Sequence, residues 1–356
     1  MMRPVERVAL RARFGLIQAA RVGWYASQSY SGTRLAARVG QDLPPVPKPV
    51  IEAEAGVPDR AVLLSYVRDL LLRDLENIEN GLYPYPRDEP GGLAGLVKRR
   101  RLYLADLPNI IRRRATRSHQ EIEREASGRP RYYMQNFHFQ TDGWMSEESA
   151  ALYETQVETL FLGAAAAMRR QALVPIADLV RARDQRHMRH LDVASGSGAF
   201  LRDVRRAFPR LNIIASDLSE PYVAMARGAI GSRHGSGAIV AAAENLPFAD
   251  GAFDLVTNIY LFHELPPKVR PLVAAEIARA VAPGGRVVIV DSLQTGDTPE
   301  LDGLLELFPQ LFHEPYYRSY LTTDIAGLFT DAGLSLESMW PAFVSKVFVF
   351  RKPQGG

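Results

Sequence analysis

The chain has 356 residues, room for one ordinary domain plus an appendage, and its 47% hydrophobic and 23% charged content is that of a globular protein. A net charge of +3 is too slight to call for a nucleic-acid partner. There is no cysteine, which excludes disulfides, zinc–thiolate sites and thiol nucleophiles, and the seven histidines show no HxxxH-type spacing, so no metal site is expected.

The positive charge is uneven. Up to Gln41, Glu6 stands against Arg3, Arg7, Arg11, Arg13, Arg21, Arg34 and Arg38. Three readings fit this start: an Arg-rich transit-like segment, a basic helix on an anionic membrane surface, and an ordinary helix with a solvated Arg face. No run is long and apolar enough to span a bilayer. A cytoplasmic protein, with peripheral membrane contact through the basic start as the open alternative, is the simplest expectation.

The next segment, "DRAVLLSYVRDLLLRDLENIENG", places Leu63, Val67, Leu70, Leu71 and Leu75 at helical spacing, with Asp59 as N-cap and Gly81 as C-cap. Pro-rich breakers flank it. Leu93–Leu104 and Ser146–Val180 also read as helices. From about His187 the pattern changes to short apolar runs ("HLDVAS", "NIIASD", "AIVAAA", "FDLVTNIY", "GRVVIVDSL") separated by helical stretches. This alternation predicts a doubly wound α/β sheet with parallel strands. Two closely spaced apolar runs, "LSLESMWPAF" and "SKVFVFRKP", predict a final antiparallel hairpin. The division expected is a helical N-terminal region over 1–130, a helical lid or linker over 131–184 and the α/β domain over 185–356.

In "HLDVASGSGAFLRDV", an acid ends a strand just before a glycine turn. Gly196 and Gly198 let backbone approach a ligand closely. There is no third glycine of a dinucleotide fingerprint and no P-loop Lys-Ser/Thr. The next strand ends in Asp217, placed to accept hydrogen bonds from ribose hydroxyls. The same residue could instead cap the helix that follows. Turn and acid together point to an adenosine-type cofactor.

Three blocks carry a family resemblance: "LDVASGSG", "AENLPFADGAFDLVTNIYLFHELP" and "ARAVAPGGRVVIVD". The region resembles the core of class I S-adenosylmethionine-dependent methyltransferases, nearest the ubiquinone/menaquinone-biosynthesis type. The resemblance implies a Rossmann-like seven-stranded sheet with a C-terminal antiparallel hairpin, with S-adenosylmethionine as cofactor. It further implies that Asp192, Ala194, Gly196 and Gly198 frame the methionine part, and that Asp217 holds the ribose with Leu218 beside the adenine. Glu244, Asn245 and Leu246 would line the adenine pocket, and Asn258 would face the methionine and the substrate mouth. Two departures stand out. Ala194 replaces a usual glycine, and Ala242 replaces the usual acid that binds the adenine amine, with Glu244 two residues on as a substitute.

Methyl transfer needs alignment and desolvation, and a base only where the nucleophile must lose a proton. His263, in "LFHELPP" after the fourth strand, is the candidate base; its alternative is a helix cap or packing role. Tyr260, Glu264, His313, Tyr316 and Tyr317 are candidates for the substrate wall. In the entry segment "RYYMQNFHFQTDGWMS" and just beyond it, Tyr133, Phe137, His138, Gln140, Trp144 and Tyr153 are lid candidates. The fourth strand lacks the Asn-Pro-Pro-aromatic motif of many amine methyltransferases. The expectation is C- or O-methylation of a small, hydrophobic acceptor. The alternatives are a methyltransferase-like interaction or membrane-associated protein with weak cofactor binding, and a nucleic-acid methyltransferase using the basic runs Lys98–Arg101 and Arg112–Arg117. Those runs read more simply as solvated helix faces.

Overall fold

The computed structural model describes residues 3–45, 48–119 and 129–354. The basic start is a single helix, α1 (Pro4–Val39). Next come α2 (Arg60–Glu79) and α3 (Gly92–Thr116). Asp59 caps α2 by accepting the Val62 N–H at 2.9 Å, and Gly81 follows the helix at φ +68°, a conformation that glycine adopts without Cβ strain. The stretch expected to be one helix over 146–180 is three: α4 (Glu147–Leu160), α5 (Ala165–Arg170) and α6 (Leu173–Arg181). Leu162 and Gly163, at φ +53° and +82°, break it. The Glu158 carboxylate then accepts the Ala165 and Ala166 N–H groups, which would otherwise be left unpaired at the start of α5.

The α/β domain runs β1 (Arg189–Val193), α7 (Ala199–Ala207), β2 (Asn212–Asp217), α8 (Glu220–Ile230), β3 (Gly237–Val240), β4 (Phe253–Ile259), α9 (Arg270–Ala280) and β5 (Val281–Ser292). It then continues through α10 (Asp302–Leu311), α11 (Tyr317–Tyr320), α12 (Ile325–Asp331), β6 (Ser335–Ala342) and β7 (Ser345–Arg351). The seven strands form one sheet in the order β3-β2-β1-β4-β5-β7-β6. β1 to β5 pair in parallel, while β7 runs antiparallel to both β5 and β6, as the hairpin expectation requires. The order reverses between β1 and β4, which opens a crevice beyond their carboxyl ends.

The helices before the α/β domain are held to one another by buried charge. Arg170 donates twice to Asp74, at 3.0 and 2.7 Å, and both side chains are almost fully buried. Arg21 pairs with Glu89 and Glu158 at 2.8 Å. Such fully paired ions tie α1, α2, α4 and α5 in one register, because removing either partner strands a buried charge. Of the arginines of α1, Arg21 turns inward and is buried, while Arg11 pairs with Glu79 and Arg13 lies over the Tyr85 ring at the surface. No helix of the described residues is long and apolar enough to cross a membrane.

Candidate active site

Beyond the carboxyl ends of β1, β2 and β4 lies a cavity of about 130 Å³. Of the residues that the sequence marks for the cofactor, Asp192, Ala194, Gly196, Asp217, Leu218 and Glu244 line it. Its walls carry five carboxylates (Glu154, Asp192, Asp217, Glu244, Glu264) and one guanidinium, Arg169. Such a lining favours a cationic ligand and disfavours a pyrophosphate.

Asp217 accepts the Gly196 N–H on one oxygen at 2.8 Å and the Ser219 N–H on the other at 2.9 Å. Each oxygen keeps a lone pair for a ribose hydroxyl. Burial pushes its pKa up to about 6 against those two N–H groups. Burial likewise raises Asp192 to about 7, opposed by the hydroxyls of Thr257 and Ser195. Glu244 accepts the Tyr132 hydroxyl at 2.7 Å on Oε1, while Oε2 is buried without a partner. An orphaned acceptor on this wall suits the exocyclic amine of an adenine. The residues present therefore fit an adenosine cofactor. Ala194 sits at φ +54°, a left-handed conformation that accounts for the family's preference for glycine there.

Four of the marked residues are elsewhere. A Cβ on Gly198 would come within 2.8 Å of Ala226 Cα, so this glycine serves the packing of α7 on α8. Asn258 donates to the Val193 carbonyl at 2.7 Å and cross-links β4 to β1. Leu246 is buried away from the cavity, and Asn245 is exposed.

A second cavity, of about 450 Å³ and mostly apolar, adjoins the first. Its walls include α1, α3, α4, α10, His138, His263 and Tyr317. Tyr153, Tyr260 and Glu264 line both cavities and mark where they meet. His263 Nδ1 lies 2.6 Å from Asp291 Oδ1, and Asp291 Oδ2 accepts the Phe262 N–H at 2.7 Å. The carboxylate thereby fixes the ring and leaves Nε2 for other partners. Burial pulls the His263 pKa down, but the charge and hydrogen bond of Asp291 outweigh it and raise it to about 9. His138 comes from the entry segment and pairs with Glu314 at 2.8 Å and with Glu264 at 3.6 Å. Burial opposes its charge, yet Glu314 and Glu264 prevail and raise its pKa to about 10. Burial also pushes Glu264 up, and His138 and His263 hold it back.

Tyr133, Phe137 and Trp144 of the entry segment, with Tyr153 of α4, line the first cavity. Gln140 instead donates to the Ser149 carbonyl of α4. His138 at φ +56° and Asp142 at +59° hold left-handed backbone here. Of the substrate-wall candidates, Tyr260, Glu264 and Tyr317 face the apolar chamber. His313 and Tyr316 do not: His313 stacks on His119 at 4.2 Å, and the Tyr316 hydroxyl accepts from Gln135 at 3.3 Å. Sequence reading missed Tyr132, Glu154, Arg169 and Asp291. Asp291 carried a signal, an acid at the carboxyl end of β5. Glu154 and Arg169, paired at 2.8 Å, sat inside what read as plain helix.

Residues 191–289 match the model of a family described as a methyltransferase domain. The chain is 32% identical to the demethylmenaquinone methyltransferase of Thermus thermophilus over 41% of its own length and 64% of that protein's. To the ubiquinone/menaquinone biosynthesis C-methyltransferase UbiE of Desulfotalea psychrophila it is 31% identical, over 34% and 46%. In these two cases the chain spans roughly half the length of the curated relatives it matches. A solved SAM-dependent methyltransferase of Methanosarcina mazei is 17% identical, covering 50% of this chain and 98% of its own, with a TM-score of 0.39. Residues 191–289 thus carry a methyltransferase domain, the part of the chain that the family model covers.

Proposed function

We propose that the protein transfers a methyl group from S-adenosylmethionine to a carbon or oxygen of a small acceptor with an apolar body. The carrying observation is the junction: a cofactor-type cavity and a 450 Å³ apolar chamber share Tyr153, Tyr260 and Glu264. When bound, the cofactor supplies an electrophilic methyl on a sulfonium. Asp217 and Glu244 would hold its ribose and adenine, and Asp192 and Glu154 add negative charge to the wall. The lid residues Tyr133, Phe137 and Trp144 exclude water, so that alignment and desolvation carry most of the rate. His263, oriented by Asp291, takes the acceptor's proton at Nε2 in its neutral form.

The relatives named above are called demethylmenaquinone and ubiquinone/menaquinone methyltransferases, which favours a ring-shaped acceptor here as well. The buried pairing of Arg21 with Glu89 and Glu158 favours a scaffold role for α1 over contact with an anionic membrane. The domain division at 130 and 184 is part of this reading: the helices before 130 wall the acceptor chamber, and 131–184 supplies the lid. The test is mass spectrometry of extracts incubated with the protein and methyl-labelled S-adenosylmethionine. A labelled product one methyl heavier than its precursor is expected. Its absence, with cofactor binding intact, would favour a methyltransferase-like binding protein.

A further inference from the structure

The apolar chamber contains polar groups for which methyl transfer has no use. Tyr103, Leu107, Ile110, Ile111 and Arg114 of α3 line it. Their spacing puts them on one face of the helix, a stripe about 16 Å long at 1.5 Å per residue. At one end, Tyr103 and Leu107 stand within 4 Å of where a Cβ on Gly32 would be. At the other, Arg113 donates to the Phe139 carbonyl at 2.9 Å, beside His138, which pairs with the junction residue Glu264. Arg114 therefore stands at the cofactor-facing end of the stripe.

Two buried donors of this chamber have no acceptor: Arg114 Nε of α3 and Gln156 Nε2 of α4. Gln156 is one helical turn from Tyr153, which also lines the cofactor cavity. Among the described residues no ion pair neutralises Arg114, and burial holds its pKa below the ordinary value. A desolvated guanidinium and amide are costly unless something accepts from them. A neutral carbonyl would satisfy the amide and leave the charge uncompensated. A carboxylate satisfies both, because its two oxygens match the planar fork of a guanidinium.

We propose that the chamber binds an amphipathic carboxylic acid, its carboxylate on Arg114 and Gln156 and its apolar body along Leu107, Ile110 and Ile111. The proposal rests on the methyl-transfer reading only in taking this acid as the acceptor; the binding site does not depend on it.

The probes are decanoate and 1-decanol, titrated calorimetrically into the full chain, with S-adenosylhomocysteine titrated separately. Wild type is expected to bind decanoate at least tenfold more tightly than 1-decanol. Arg114→Gln and Gln156→Leu should each remove most of that preference while leaving S-adenosylhomocysteine affinity within about twofold, and Ile111→Trp should weaken both probes. Arg114→Lys keeps the charge and should keep part of the preference, which covers the case of an unfolded Arg114→Gln variant. Equal affinity for the two probes in wild type, no binding of decanoate, or an unchanged preference in Arg114→Gln overturns the proposal. Decanoate binding without S-adenosylhomocysteine binding supports the site and sinks the methyltransferase reading; the reverse sinks the site alone.

Discussion

Replacing Glu244 by Gln probes the adenine subsite at a single atom. In the protein, Oε1 accepts the Tyr132 hydroxyl and Oε2 is buried with no partner. A glutamine can keep the Tyr132 bond through its carbonyl oxygen. Its NH₂ then occupies the place of Oε2 and confronts the adenine amine donor to donor. A lost hydrogen bond to a charged acceptor costs about 1.5–3 kcal/mol, so affinity for S-adenosylhomocysteine should fall roughly 10- to 150-fold. The unliganded protein should not lose stability, because the substitution removes a desolvated charge that no donor satisfies at Oε2. Calorimetric titration reads the affinity, and thermal unfolding without ligand reads the stability. Adding Ala242→Asp to the variant restores the acid at the family's usual position and should recover affinity. Unchanged affinity in Glu244→Gln would refute the assignment of Oε2 to the adenine.

Other expected outcomes follow from the same geometry. Asp217 has a pKa raised to about 6, so the carboxylate that receives the ribose is lost as pH falls through 6; S-adenosylhomocysteine affinity measured between pH 8 and 5 should decline over that window. The raised His263 pKa of about 9 means that the neutral base fills as pH rises, so turnover should climb from pH 7 toward 9. His263→Gln should retain cofactor affinity and lose roughly 10²–10⁴-fold in turnover, as an assay with the identified acceptor would show. Ala194→Gly relieves left-handed strain of about 1–2 kcal/mol, partly offset by about 0.4–1 kcal/mol of added unfolded-state entropy, so the melting temperature should stay level or rise slightly. Gly198→Ala meets Ala226 at 2.8 Å and should lower the melting temperature by displacing α8.

What could be read in the sequence was local. β1, the glycine turn and Asp217 lie within 29 contiguous residues, so period and spacing place them in advance. The same local reading assigned Gly198 to the ligand, yet its close neighbours are Ala226 and Ala229 on the next helix. It also left the basic start open among three functions. That start is one helix whose Arg21 finds Glu89 and Glu158 across 68 and 137 positions of chain, pairings that no window reveals. The candidate base shows the same limit. His263 was named, but Asp291, which orients it, is 28 residues away on β5. The apolar chamber was not legible, because it forms only where α1, α3 and α10 close against the ends of β4 and β5.

The most direct test is a crystal structure of the full chain with S-adenosylhomocysteine. The ribose hydroxyls are expected on Asp217, the adenine amine on Glu244 Oε2, and the sulfur turned toward Tyr153, Tyr260 and Glu264. Ligand bound away from Asp217, or no ligand density at millimolar concentration, would contradict the assignment of the cavity to the cofactor and with it the methyl-transfer reading.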